Sequence, residues 1–344
     1  MIQRSRSSLA RAPGRLAAAC VLVAALAPRC LAGAETAGGP PSSAAAVAPP
    51  PRAMVRNIKI GATDRTYRLY VPEAVAKRGK PAPLVIVLHG ATGHSEQVER
   101  YMGFNPAADR EGLVVAYPQG VGNVWNDDRP QELKRVNKSA QADDVGFLVA
   151  VVRDLVKAKT ADPGRVYLSG LSNGGFMTAR MACEQPGLFA GFAILIASIP
   201  KSYTQTCKPQ RPLPMLILNG SEDRLAPIEG YIPKGAAGAE ARSGTMAVRE
   251  HAAFWAARNG CTTSSEHRLN DASPNDGSEI VRTDWAGCAQ GGAVTFYLVE
   301  GGGHQTPSPR IGLLDQVIGA FLGTRNRDAE TSELLWDFFK RHQR

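Results

Sequence analysis

A chain of 344 residues, 44% hydrophobic and 21% charged, has the balance of an ordinary globular protein and enough length for a sizeable core in one large domain or two. Its formal charge of +9 is not gathered into a basic cluster interleaved with aromatics, so nothing supports a nucleic-acid partner. Five arginines and no acid lie in the first 34 residues, and taking five from nine leaves +4 for the remainder.

Within that stretch Arg4, Arg6, Arg11 and Arg15 precede the apolar run Leu16 to Ala27, and Ala32-Gly33-Ala34 offers small residues for cleavage. Residues 1–34 read as a signal peptide cut after Ala34, because an apolar run of about 12 residues falls short of the roughly 20 that span a bilayer. The expected mature chain is secreted, extracellular or periplasmic, with no membrane attachment. It keeps Cys183, Cys207, Cys261 and Cys288. An even number in an exported chain, with no C-x-x-C or C-x-x-H spacing, favours disulfides over a metal site. Proximity in sequence pairs Cys183 with Cys207 and Cys261 with Cys288; the two other pairings and free thiols stay open.

Residues 35–53, with Pro40, Pro41, Pro49, Pro50 and Pro51 among Ala, Gly and Ser, read as a linker, and the domain spans 54–344. Val55 to Ile60 and Arg65 to Val71 look like an antiparallel pair. Leu84 to Leu88, Leu113 to Tyr117, Val166 to Leu168, Phe192 to Ala197, Met215 to Leu218 and Val294 to Val299 are short apolar runs suited to strands covered on both faces. Helices are expected between them: Asp144 to Lys157, capped by Asp143 or Asp144, Phe176 to Cys183, Met246 to Asn259, and Ala329 to His342. The alternation predicts an α/β fold with a mostly parallel central sheet and helices on both faces. The segment Ile199 to Leu213 is too short for a large lid domain, and Gly230 to Gly244 reads as a surface loop.

Gly170-Leu171-Ser172-Asn173-Gly174 lies between a strand and a helix, the setting in which a G-x-S-x-G turn holds a serine hydroxyl out at a helix N-terminus. A serine nucleophile needs a base, and histidine suits that role. His304, after the last strand and a flexible Gly301-Gly302-Gly303, is the candidate. His94 lies in a loop, while His342, His267 (in a polar loop) and His251 (in a helix) read as surface residues. The imidazole needs an acid, and Asp223, after the strand Met215 to Leu218, is preferred over Glu222; the order Ser, acid, His is that of α/β-hydrolases. Two backbone donors for a developing oxyanion would be the amides of Ala91 and Asn173, with Thr92 as substitute for Ala91. His89 reads as a brace of that loop. Trp125 reads either as a half-buried pin or as a stacking surface. Both are candidates for substrate binding.

Leu88-His89-Gly90, Tyr117-Pro118-Gln119-Gly120, Trp125-Asn126-Asp127, Asp143 to Phe147, Gly170 to Gly175 and Gly301 to His304 occur in an order that resembles the polyhydroxybutyrate depolymerase family of secreted esterases, whose relatives include feruloyl and acetylxylan esterases. The resemblance covers about Val55 to Arg341. It implies an α/β-hydrolase fold and a serine carboxylesterase with Ser172, Asp223 and His304 as its triad. Expected substrates are small or oligomeric esters (short-chain, hydroxybutyrate oligomers, feruloyl or acetyl sugar esters), with polyester and plant cell-wall polysaccharide esters in the same class. Many members follow the histidine with Thr-Trp-Pro, where this chain has Gln305-Thr306-Pro307; that departure implies a missing aromatic wall. No metal constellation and no phosphate-binding loop appears, so no cofactor is expected. The competing readings are an inactive binding protein of this fold and a serine peptidase or acyltransferase sharing the triad.

Overall fold

The computed structural model describes residues 53–127, 129, 142–231, 244–310 and 319–344. The expected signal peptide, all of the expected linker but Ala53, and most of the Gly230 to Gly244 loop lie outside the described residues. β1 (Met54–Ile60) and β2 (Thr63–Tyr70) form the antiparallel pair that opens the sheet. From β2 the sheet continues through β4 (Val114–Pro118), β3 (Ala82–Leu88), β5 (Ala161–Leu171), β6 (Gly191–Leu195), β7 (Pro214–Gly220) and β10 (Ala293–Glu300). The strands from β4 to β10 are parallel neighbours. β9 (Glu279–Ala286) and β8 (Thr263–Arg268) then extend the far edge antiparallel.

Every residue of β3, β4, β6 and β7 is buried, as continuous apolar runs demand when both faces are covered. Alternate residues enter two cores. Leu84, Ile86 and Leu88 pack with α4 (Asp144–Lys157), α5 (Asn173–Glu184) and α7 (Val248–Arg258). Val85 and Val87 pack with α2 (Ser95–Met102), α3 (Phe104–Glu111) and α8 (Thr331–Phe339). Short helices include α1 (Glu73–Arg78) before β3 and α6 (Tyr203–Thr206) between β6 and β7, where no lid is built. α4 begins where Asp143 accepts the Gly146 amide at 2.7 Å, and Phe147, Leu148, Val151, Val152 and Leu155 form its buried stripe. Disulfides join Cys183 to Cys207 and Cys261 to Cys288. Each closes a loop of about 25 residues, worth roughly 3 kcal/mol in the chain-entropy account. Among the described residues no helix is long and apolar enough to cross a membrane.

Three expectations about the fold need correction. His267 lies in strand β8, not in a loop; all six residues of β8 are exposed, so this edge strand carries no apolar period to read. The glycines after β10 are packed instead of flexible: the Gly303 amide bonds the Thr324 carbonyl at 2.8 Å, and a Cβ on Gly303 would overlap the Leu322 carbonyl. His251 is fully buried on α7 rather than a surface residue, because α7 turns its face onto β7 and β10. Among the described residues its ring has no hydrogen-bond partner, and burial pushes its pKa down to about 3.

That burial has a consequence for acid stability. Unfolded histidine takes up a proton near pH 6.5, whereas folded His251 resists until about pH 3. Its contribution is therefore present above about pH 6.5 and is lost as pH falls from there toward the folded value, by up to about 1.4 kcal/mol per unit. Urea unfolding at pH 7, 6 and 5 should show a shallower acid slope for His251→Leu than for wild type. Equal slopes would mean that His251 is solvated.

Candidate active site

β5 enters α5 through Ser172, whose backbone sits at φ 54° and ψ −120°. For a residue with a side chain this left-handed geometry costs about 1–3 kcal/mol and persists only where neighbours enforce it. They do so here. The Ser172 amide bonds the Leu195 carbonyl of β6 at 2.9 Å, a Cβ on Gly170 would overlap the Gly174 carbonyl, and one on Gly174 would lie 2.6 Å from the His89 carbonyl. Only glycine at these two positions lets the strand turn so tightly beside β3.

Asp223 follows β7 and is 4% exposed. Its Oδ1 accepts the Leu225 and Ala226 amides, both at 2.8 Å, and its Oδ2 accepts His304 Nδ1–H at 2.7 Å. That bond places the neutral ring's proton on Nδ1 and leaves Nε2 as an acceptor. Glu222 is exposed and lines a different cavity. The His304 amide is itself tied to the Leu322 carbonyl at 2.6 Å, so the ring is carried by a fixed backbone. Ser172 and His304 line one cavity of about 510 Å³, without a direct hydrogen bond between them.

The Ala91 and Asn173 amides reach no protein acceptor among the described residues. Thr92 is not a substitute, because its amide already donates to the Asn123 carbonyl at 2.8 Å. His89 is 1% exposed; its Nδ1–H donates to the Gly90 carbonyl at 2.8 Å and its Nε2 accepts the Gly120 amide at 3.0 Å. Burial lowers its pKa to about 4, which keeps this bracing tautomer neutral.

Trp125 is fully buried rather than half-buried and is absent from the cavity wall, so no ring face is free to stack on a substrate. Its Nε1–H donates to the His89 carbonyl at 2.9 Å, and its amide donates to Asn173 Oδ1 at 2.7 Å. Asn173 Nδ2 donates in turn to Asp127 Oδ2 at 2.5 Å. The Asn126 amide donates to Asp144, which also pairs with Arg65 at 2.6 Å. The Trp125-Asn126-Asp127 and Asp143 to Phe147 segments thus lock the first turn of α5, and with it the Asn173 amide.

Sequence reasoning missed the cavity's aromatic wall. Tyr101 of α2 lines it, held by the Thr306 amide donating to its hydroxyl at 3.0 Å and by the Arg325 guanidinium 4.5 Å from its ring centre. No aromatic side chain follows His304 directly, and Tyr101 brings an aromatic ring to the cavity from another element, while Thr306 is buried. Leu171, Ile196, Leu225 and Leu322 contribute to the apolar lining, with Ala91 and Val98. Among the described residues no cluster of three or more His, Cys, Asp or Glu is placed to hold a metal.

Residues 65–199 match the family model described as esterase PHB depolymerase. A putative esterase, NocK, of Nocardia uniformis subsp. tsuyamanensis is 32% identical over 288 residues, covering 82% of this chain and 81% of that protein. A feruloyl esterase B of Piromyces equi is 28% identical over 68% of this chain, and a poly(3-hydroxybutyrate) depolymerase of Ralstonia pickettii is 36% identical over 37% of it. The matched parts span only 41% and 27% of those two relatives' own lengths. A solved acetyl xylan esterase from Aspergillus awamori superposes with a TM-score of 0.50 at 16% identity over 73% of this chain and 94% of that one, a likeness of fold. A solved thermostable esterase does so at 0.51 and 17%, over 85% and 63%. The sheet order, the serine turn and the match across most of the Nocardia protein agree: the chain belongs to the esterase PHB depolymerase family, with an α/β-hydrolase fold, and is a carboxylic ester hydrolase.

Proposed function

We propose that the chain is a secreted serine esterase in which Ser172 attacks an ester carbonyl, His304 accepts the serine proton, and Asp223 holds the imidazole and its developing charge. The Ala91 and Asn173 amides bind the oxyanion. The collapse of that tetrahedral species expels the alcohol, protonated by His304, and leaves an acyl-enzyme; a water deprotonated by the same ring then releases the acid. The single observation that carries this reading is the 2.7 Å His304–Asp223 bond, which fixes the tautomer of a ring sharing one cavity with a strained serine. Two disulfides are consistent with export from a reducing compartment.

For substrate, the reading is short-chain, hydroxybutyrate-oligomer and feruloyl or acetyl sugar esters. A cavity of about 510 Å³ offers a limited apolar wall to the acyl and alcohol parts that it receives. Each methylene gains about 0.8 kcal/mol only while wall surface is left to cover it. p-Nitrophenyl acetate and butyrate should therefore exceed the dodecanoate and palmitate in kcat/KM, and an optimum at twelve carbons or longer would contradict an open site. Tyr101 is the aromatic lining residue that a feruloyl group would meet.

A further inference from the structure

A second cavity, of about 500 Å³, adjoins the first and shares Gln305 with it. Its walls alternate with those of the serine cavity along two segments: Arg224 beside Leu225, and Gly323 beside Leu322. Gln305 directly follows His304 and is fixed as the partition, its Nε2–H donating to the Gly323 carbonyl at 2.6 Å. The two cavities meet at Gln305, so an ester held at Ser172 would reach the second only by extending past that side chain.

The second cavity differs from the first in charge. Arg224, Arg325 and Arg327 line it with Glu222 and Asp276. Both oxygens of Asp276 are engaged, Oδ1 by the Ser278 amide and hydroxyl at 2.8 and 2.6 Å, Oδ2 by the Arg327 amide at 2.8 Å. Arg325 is buried, its Nε–H donating to the Thr306 carbonyl at 3.0 Å. That leaves the Arg224 and Arg327 guanidinium groups and the Glu222 carboxylate, all exposed and without a protein partner among the described residues. Three cations therefore meet two anions in the lining, and of the cations Arg224 and Arg327 are the two left without a protein partner among the described residues. A lone exposed arginine is ordinarily a solvated charge, but here two line one concavity that adjoins the serine cavity, and each carries the planar donor fork that pairs with carboxylates.

We propose that this cavity is a subsite for a carboxylate carried at the far end of the ester substrate, so that the protein prefers esters with a free acid end over neutral ones of equal length. The proposal rests on the serine esterase reading. A hydroxy-acid oligomer end and the half-ester of a dicarboxylic acid carry this chemistry alike; in the first the acid lies on the alcohol side of the scissile bond, in the second on the acyl side.

The test uses both orientations. Monomethyl adipate and 6-acetoxyhexanoate are each compared with the corresponding primary amide in the purified protein. At low salt kcat/KM should favour the acid over the amide by about 3- to 10-fold in at least one orientation, the scale of two partly exposed ion pairs, and by less than about 2-fold in 0.5 M salt. In the double variant Arg224→Gln/Arg327→Gln the acid-to-amide ratio should fall to about 1, and in Glu222→Gln it should rise. A ratio of 1 or below in both orientations, or one unmoved by the double variant, overturns the subsite. Failure to hydrolyse p-nitrophenyl acetate would count against the esterase reading instead. Calorimetric binding of adipate against adipamide then decides the subsite by itself: tighter adipate binding that the double variant abolishes supports it, and equal binding overturns it.

Discussion

Ser172→Ala is expected to lower kcat for p-nitrophenyl acetate by on the order of 10⁴-fold or more, with the fold unchanged. Nucleophile and base act as a unit, so removing the hydroxyl leaves only binding and oxyanion stabilisation, a residual on the order of 10³-fold over water. The turn should survive, since it is held by the Ser172 amide bond to Leu195 and by the absence of side chains at Gly170 and Gly174, not by the hydroxyl. Circular dichroism and urea unfolding check the fold, and steady-state kinetics check the loss. Activity within about 10-fold of wild type would place the nucleophile elsewhere.

The second large effect is expected at Asp223→Asn. Oδ1 accepts two backbone amides and Oδ2 accepts His304 Nδ1–H, so three donors converge on one carboxylate. An asparagine has one oxygen, which the two fixed amides will claim, turning its NH₂ toward the imidazole. The ring must then accept at Nδ1 and carry its proton on Nε2, where it is useless as a base toward serine. A loss of kcat of about 10³- to 10⁴-fold follows from the wrong tautomer alone. Glu222→Gln should cost far less, because Glu222 faces the second cavity. The reverse ranking would move the acid by one residue.

Much of this was legible because the informative residues are local. The apolar runs of β3, β4 and β6, and of β7 as far as Leu218, are unbroken, the pattern expected of strands buried on both faces. Gly170 to Gly174 announces its turn through steric need at two glycines. What was not legible depends on contacts made far away in sequence. β8 is an edge strand with no buried face, and His251 sits among Arg249 and Glu250 on a helix whose weak apolar stripe hides the burial imposed by β7 and β10. Gly301-Gly302-Gly303 suggests freedom in isolation, yet Gly220 and Gly303 are small because other backbone runs against them. Tyr101 looks like any helix tyrosine until Thr306 and Arg325, some 200 residues on, hold it against the cavity. Trp125 was visible as a motif, but only the Asn173 and His89 contacts show that it braces the site from behind.

The most direct test of the central claim is labelling with a fluorophosphonate, which forms a stable bond only with a serine activated by its neighbours. Intact mass and peptide mapping of the folded protein should show one adduct, on Ser172, formed at the rate at which ester turnover is lost, and none in Ser172→Ala. A protein that hydrolyses p-nitrophenyl acetate while taking its adduct at another serine, or taking none, would contradict the account.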